Sequence, residues 1–172
     1  MTDLSYMIDF PQIGKLLALD IGTKTIGVAV SNKSQTVAFP KKHIAVTKDA
    51  SWIHEVFITY VSEDACGLVV GLPCDASGNL NAQCELIIGM IKRMLRDNPG
   101  VSIIFVNEAF TTFEAEEQLN SVLPSKAGVP PKGDELLDAR SASLILDRYL
   151  STHEYIAFPY DTLLSSGSTS LA

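Results

Sequence analysis

Three acidic residues stand where a carboxylate is costly unless something makes use of it. Asp20 ends the otherwise apolar run Lys15–Ile21 (KLLALDI), Glu108 directly follows the run Val101–Val106 (VSIIFV), and Asp138 lies one turn into the last helical segment. A carboxylate held in a crevice has to be protonated, paired or bound to a cation. Apolar strands that end in an acid often deliver it to the C-terminal edge of a sheet, where α/β proteins bind ligands. Each acid also has an ordinary reading. Asp20 could be a turn residue before Gly22-Thr23, Glu108 a negative charge near a helix N-terminus, and Asp138 a solvated helix residue. The spacing among the three is non-local, so no periodicity joins them.

The type of metal such acids could hold is narrower. His43, His54 and His153 lie far apart and form no zinc pattern. Cys66, Cys74 and Cys84 are an odd set at irregular spacings without a C-x-x-C pair. They read as small buried or half-buried residues of a reducing compartment. A metal bound here is therefore expected to be a hard cation on oxygen ligands, such as Mg²⁺ or Mn²⁺.

The elements that must position these acids follow from pattern. Lys15–Ile21 reads as a buried strand, Gly22-Thr23-Lys24 as a turn, and Thr25–Ser31 (TIGVAVS) as the hairpin partner, with Gly27 marking a close backbone approach. Thr36–Val46 is extended but interrupted by Pro40. Trp52, Ile53, Val56, Phe57 and Tyr60 have helical spacing within Asp49–Asp64. Cys66–Leu72 is a buried strand closed by Pro73. A long helix follows, with Leu80, Cys84, Ile87, Ile88, Ile91, Met94 and Leu95 as its stripe, ending near Asn98-Pro99-Gly100. After the strand Val101–Val106, Thr111-x-x-Glu114 has capping-box spacing and opens a helix. Ser121–Gly133 is a loop, and Asp134 caps a last helix that runs to Leu150. An early hairpin followed by strand–helix alternation predicts an α/β mixed sheet of about five strands, antiparallel first and parallel later, with helices on both faces. The expected organisation is an N-terminal extension over 1–12, one domain over 13–160, and a Ser-rich frayed tail over 161–172.

Composition bounds the partners. With 47% hydrophobic and 19% charged residues, the 172-residue chain can build a substantial core. No apolar run reaches the ~20 residues of a membrane span. The start of the chain, MTDLSYMIDFPQ, lacks a basic region and a long apolar stretch, so a cytoplasmic location is expected. A net charge of −7 argues against a protein that coats nucleic acid non-specifically. It leaves room for a nuclease, since bound cations reverse the sign locally. The Lys92–Arg93–Arg96 group reads as the solvated end of an amphipathic helix.

Four motifs occur in order: LALDIGTKTIGVAVSN, then VVGLP followed by the Ser77-Gly78 turn, then VNEAFTTFEAEEQL, then LLDARSASLILDRYL. This set resembles the YqgF family, known as Holliday-junction resolvase-like proteins or pre-16S rRNA nucleases, from about Leu16 to Leu150. The resemblance implies a ribonuclease H-like fold and a hydrolase acting on phosphodiester bonds. Its acidic positions fall on Asp20, Glu108 and Asp138, which would be both catalytic residues and ligands of one or two Mg²⁺ or Mn²⁺ ions. Carboxylates suit that role because paired divalent ions can clamp the attacking and leaving oxygens of an in-line displacement. Gly22, Thr23, Lys24, Thr111, Lys132 and Arg140 are the positions expected to meet substrate, with Gly22 and Gly27 letting backbone approach a phosphate. Ser141 and Ala142, being small, would let the last helix sit close and bring Asp138 near Asp20.

The implied substrate is the precursor of small-subunit ribosomal RNA. A four-way DNA junction is the alternative, and would call for a homodimer. A non-catalytic binding module on the same fold is a further alternative, and loss of the acids would mark it. D-I-G-T also resembles the phosphate loop of sugar kinases, but those need two such domains. Two departures stand out: the family commonly has Asp-Glu-Arg where this chain has Asn107-Glu108-Ala109, and a basic residue where Thr25 stands. Asn107 is expected near the ions if the strand bends beyond its apolar run.

Overall fold

The computed structural model describes residues 10–108 and 133–156. Five strands form one sheet: β1 (Lys15–Ile21), β2 (Thr25–Ser31), β3 (Ala38–Ala45), β4 (Ala65–Leu72) and β5 (Ile103–Asn107). Three helices are described, α1 (Ser51–Ser62), α2 (Ala82–Asp97) and α3 (Gly133–Thr152). The sheet order is β3-β2-β1-β4-β5, with β1–β2 and β2–β3 antiparallel and β1–β4 and β4–β5 parallel. The mixed sheet expected from the hairpin and the later strand–helix alternation is present. The Thr111–Glu114 capping box, the loop up to Lys132 and the 161–172 tail lie outside the described residues.

Side-chain alternation along each strand divides the core in two. Leu17, Leu19 and Ile21 of β1, with Ile26, Val28 and Val30 of β2, pack toward α1 and α2. Leu16 and Ala18 of β1, with Ala29, Val69, Ile104 and Val106, pack toward Ala142, Ile145, Leu146 and Tyr149 of α3. Helices therefore cover both faces, and even-numbered positions of β1 and β5 face α3.

Several boundaries differ from the sequence expectation, each for a local reason. Pro40 does not break β3, because β3 is an edge strand and its register shifts between Val28 and Ala29 where Pro40 pairs; an edge proline forfeits no ladder bond. Leu80 is exposed and lies before α2, whose cap is Asn81 accepting from the Cys84 N–H at 2.9 Å. The other six residues of the stripe are buried. β5 starts late because the Val101 N–H is drawn to Asn98 O in the turn, and it extends to Asn107. α3 begins at Gly133, which places Asp134 in its first turn. The three cysteines are free, Cys74 and Cys84 buried and Cys66 partly so. Among the described residues, no helix is long and apolar enough to cross a membrane.

Among the described glycines, Gly27 marks the tightest approach, between α3 and β2. A Cβ at Gly27 would fall inside the backbone carbonyl of Asp138. Ser141 and Ala142, one turn on, are both buried, and Ala142 packs in the α3-face cluster. Gly89, by contrast, sits on the exposed side of α2 with open space where a Cβ would go. Gly27→Ala should therefore destabilise the fold by about 2 kcal/mol or more. Gly89→Ala should stabilise it by about 0.5–1 kcal/mol through reduced backbone entropy. Urea unfolding checks both; a Gly27→Ala midpoint at or above the parent's would contradict the close approach.

Candidate functional site

Asp20 lies on the central strand β1, opposite Gly27 of β2. Its even position turns it to the face covered by α3, together with Leu16 and Ala18. Glu108 is the first residue after β5, and its N–H donates to Leu72 O at 3.0 Å, so pairing with β4 persists one residue past the strand. That keeps Glu108 in step with Ile104 and Val106, on the α3 face.

Between β5 and β1 lies β4, and Glu108 must reach across it. Gly71 makes this possible. A Cβ there would lie 2.6 Å from Glu108 Oε2 and 2.5 Å from Ile145 Cδ1. With that side chain absent, the Glu108 carboxyl crosses β4 and forms a hydrogen bond with the Asp20 carboxyl. Gly71 was not singled out in the sequence, although a glycine inside an apolar strand is the usual mark of a close approach.

Asp138 comes from α3. Its backbone rests on Gly27, and its Oδ2 accepts a 2.7 Å hydrogen bond from Thr25 Oγ1. Its charge bears on Asp20. The structure thus joins Asp20 to Glu108 and sets Asp138 beside Asp20. Among the described residues, however, no three His, Cys, Asp or Glu side chains are gathered so that they could hold one ion.

The electrostatics follow from crowding. Burial, the neighbouring Asp20 charge and the shared hydrogen bond together push the Glu108 carboxyl up to about 9. Burial and the Asp138 charge raise Asp20 to about 6, against the opposing effect of the hydrogen bond from Glu108. Among the described residues, no Lys, Arg or His forms an ion pair with Asp20 or Asp138. The raised Asp20 and Glu108 carboxyls and the Asp138 carboxylate are oxygen donors of the kind a hard divalent cation takes, although the three are not gathered around one point.

The remaining sequence candidates fare differently. Gly22, partly buried, donates its N–H to Thr25 O at 2.9 Å, closing the hairpin; a Cβ would meet that same oxygen. What approaches Gly27 is α3, which gives both glycines a structural cause nearer than a phosphate. Thr23 and Lys24 are exposed at the hairpin tip, on the same sheet edge as Asp20. Arg140 is partly buried, and among the described residues its Nε has no hydrogen-bond partner. Thr111 and Lys132 lie outside the described residues. Asn107 corrects an expectation. Pairing stays in register: Asn107 still pairs with Leu72, and alternation puts it with Ile103 and Phe105 on the α1/α2 face. Its Nδ2 lies 3.9 Å from where a Gly78 Cβ would be.

Comparison with known proteins agrees with this architecture. Residues 14–152 match a family model described as "RuvX: Holliday junction resolvase". A protein of Caulobacter vibrioides (strain NA1000 / CB15N) named "Putative pre-16S rRNA nuclease" is 33% identical over 137 residues, covering 79% of this chain and 85% of its own. One of the same name from Syntrophus aciditrophicus is 34% identical over 154 residues, covering 86% and 95%. Among solved structures, the fowlpox virus resolvase in complex with Holliday junction DNA superposes with a TM-score of 0.50 at 15% identity, covering 81% of this chain and 98% of that one. That likeness concerns the fold alone.

Two outcomes follow from the geometry. A carboxyl whose pKa is raised on folding binds more protons folded than unfolded, so its contribution to stability falls as pH rises. For the metal-free protein this decline starts near the ordinary values of 3.8 and 4.5 and continues through about 6 for Asp20 toward about 9 for Glu108. Glu108→Gln should flatten the fall in melting temperature from about pH 5 to about pH 9; parallel profiles for parent and variant would contradict the buried pair. Asn107→Asp should leave the Mg²⁺ concentration for half-maximal activity unchanged, since the side chain faces away; a clear decrease would place it at the ions.

Proposed function

This chain belongs to the RuvX family, described as Holliday junction resolvase, and from that premise we propose that it is a cytoplasmic, divalent-metal-dependent nuclease that cuts the precursor of 16S ribosomal RNA. The observation that carries the catalytic reading is the hydrogen-bonded Asp20–Glu108 carboxyl pair on the α3 face, with the Asp138 charge beside it. Buried like charges without a structural counter-ion are a cost to the fold, and a catalytic cation gives that cost a purpose. The named activity of the relatives supports ribosomal RNA as substrate.

Asp20, Glu108 and Asp138 are the residues that would hold one or two Mg²⁺ or Mn²⁺ ions. Such an ion supplies Lewis acidity toward the phosphoryl oxygen and a more acidic bound water. The chain's own residues do the positioning. Asp20 is fixed by the rigid central strand, Glu108 by the continued pairing to Leu72, and Asp138 by the seat of α3 on Gly27. Lys24, exposed at the hairpin tip with Thr23 beside it, would meet a substrate phosphate at this edge. Gly22, Thr111, Lys132 and Arg140 remain further positions for substrate contact.

The family description favours a second reading, a four-way DNA junction, which would require two copies of the chain around a symmetric substrate. Labelled ribosomal RNA precursor and a four-way junction, incubated side by side with Mg²⁺, Mn²⁺ or EDTA, separate the two. We expect the RNA to be cut with either ion and spared in EDTA, and Asp20→Asn to lower the rate by roughly a hundredfold or more while the fold persists. Cleavage of the junction alone would transfer the assignment to the resolvase reading. An Asp20→Asn protein that cuts like the parent would sink the acidic centre itself.

A further inference from the structure

We propose that Thr25 is a positioning residue that fixes Asp138 as a one-oxygen ligand of the acidic centre, its hydroxyl engaging Oδ2 and leaving the other carboxylate oxygen for the cation. The inference rests on the metal-dependent reading above and deepens it. The hydrogen bond is short, 2.7 Å, and joins residues 113 apart in sequence, on β2 and α3.

Thr25 is itself held on both sides. Its carbonyl accepts the Gly22 N–H at 2.9 Å, and it pairs with Ala45 of β3. A β-branched side chain on a strand has restricted χ1 freedom, so the hydroxyl is presented in a defined direction. Two devices then act on Asp138 from the same strand. The absent side chain of Gly27 sets where the Asp138 backbone rests, and Thr25 sets how its carboxylate turns.

The donor's neutrality matters as much as its position. A hydroxyl orients a carboxylate without cancelling its charge, whereas a lysine or arginine there would do both. Among the described residues, Asp138 has no ion-pair partner, and its charge is felt by Asp20. Asp138 is thus aimed by a neutral donor, with one of its oxygens engaged and the other left for a cation. Partners that orient a metal ligand in this way typically govern affinity by ten- to a hundredfold.

The test is Mn²⁺ binding by calorimetry to the parent, Thr25→Val and Thr25→Ser, with the metal-free melting temperature of each as the control for folding. Valine keeps the branched shape and removes the donor; serine keeps the donor and removes the methyl group. Thr25→Val should weaken Mn²⁺ binding about tenfold or more, and Thr25→Ser should bind close to the parent. Equal affinity in parent and Thr25→Val overturns the proposal while leaving the acidic centre standing. Equal losses in both variants also overturn it, because shape and not the hydroxyl would then be responsible. A parent that takes up no Mn²⁺ overturns the metal-dependent reading and this inference with it.

Discussion

Two carboxyl groups share one face of the sheet beneath a helix, and the arrangement depends on how that charge is tolerated. Two ionised carboxylates in hydrogen-bond contact inside a low-dielectric crevice repel strongly, so without a cation one of them keeps its proton. Here Glu108 is the proton holder and Asp20 the acceptor. The chain invests in this contact at several points. Pairing continues past the end of β5, Gly71 clears the way across β4, and α3 closes over the result. A purely structural polar contact would seldom justify a glycine in a buried strand, where it weakens packing and costs backbone entropy.

The two faces of the sheet carry different duties. The α1/α2 face is a continuous apolar core, from Leu17 and Val28 to Ile91 and Phe105. The α3 face is smaller, and its end near Asp20 is given over to Thr25, Asp138 and Glu108. Because side chains alternate, the neighbours of each catalytic candidate serve the core. Ile21, next to Asp20, turns into the α1/α2 cluster, and Asn107 turns away from the face that Glu108 occupies. This is why a charge lost at Asn107 need not be a charge lost from the site.

Much of this was legible in sequence. Lys15–Ile21 and Thr25–Ser31 are the strands that their apolar runs and the intervening Gly22-Thr23-Lys24 turn suggest, with the same ends. Asp20 and Glu108 were recognisable because an acid at the end of an apolar run has no cheap place to go. The contacts between them were not, since they join residues far apart in sequence. Gly27 signalled a close approach but not its partner, which proved to be the backbone of Asp138. Gly71 lay hidden in CGLVVGLP, where an apolar run masks a missing side chain. In sequence Thr25 shows only the absence of a cation; its hydrogen bond to Asp138 reveals what the hydroxyl does. Leu80 misled because a helical stripe has no marker for its first turn unless the cap, Asn81, is recognised.

The central claim is that the buried carboxyl pair surrenders its proton to a divalent cation. Calorimetric titration of Mn²⁺ into the protein near pH 7, repeated in buffers of different ionisation enthalpy, measures that proton directly. With both carboxyls of the pair raised, Glu108 to about 9 and Asp20 to about 6, binding should release roughly one proton from the pair. Glu108→Gln should abolish the buffer dependence. Binding heats that are the same in every buffer, or the absence of binding by the parent, would contradict the account.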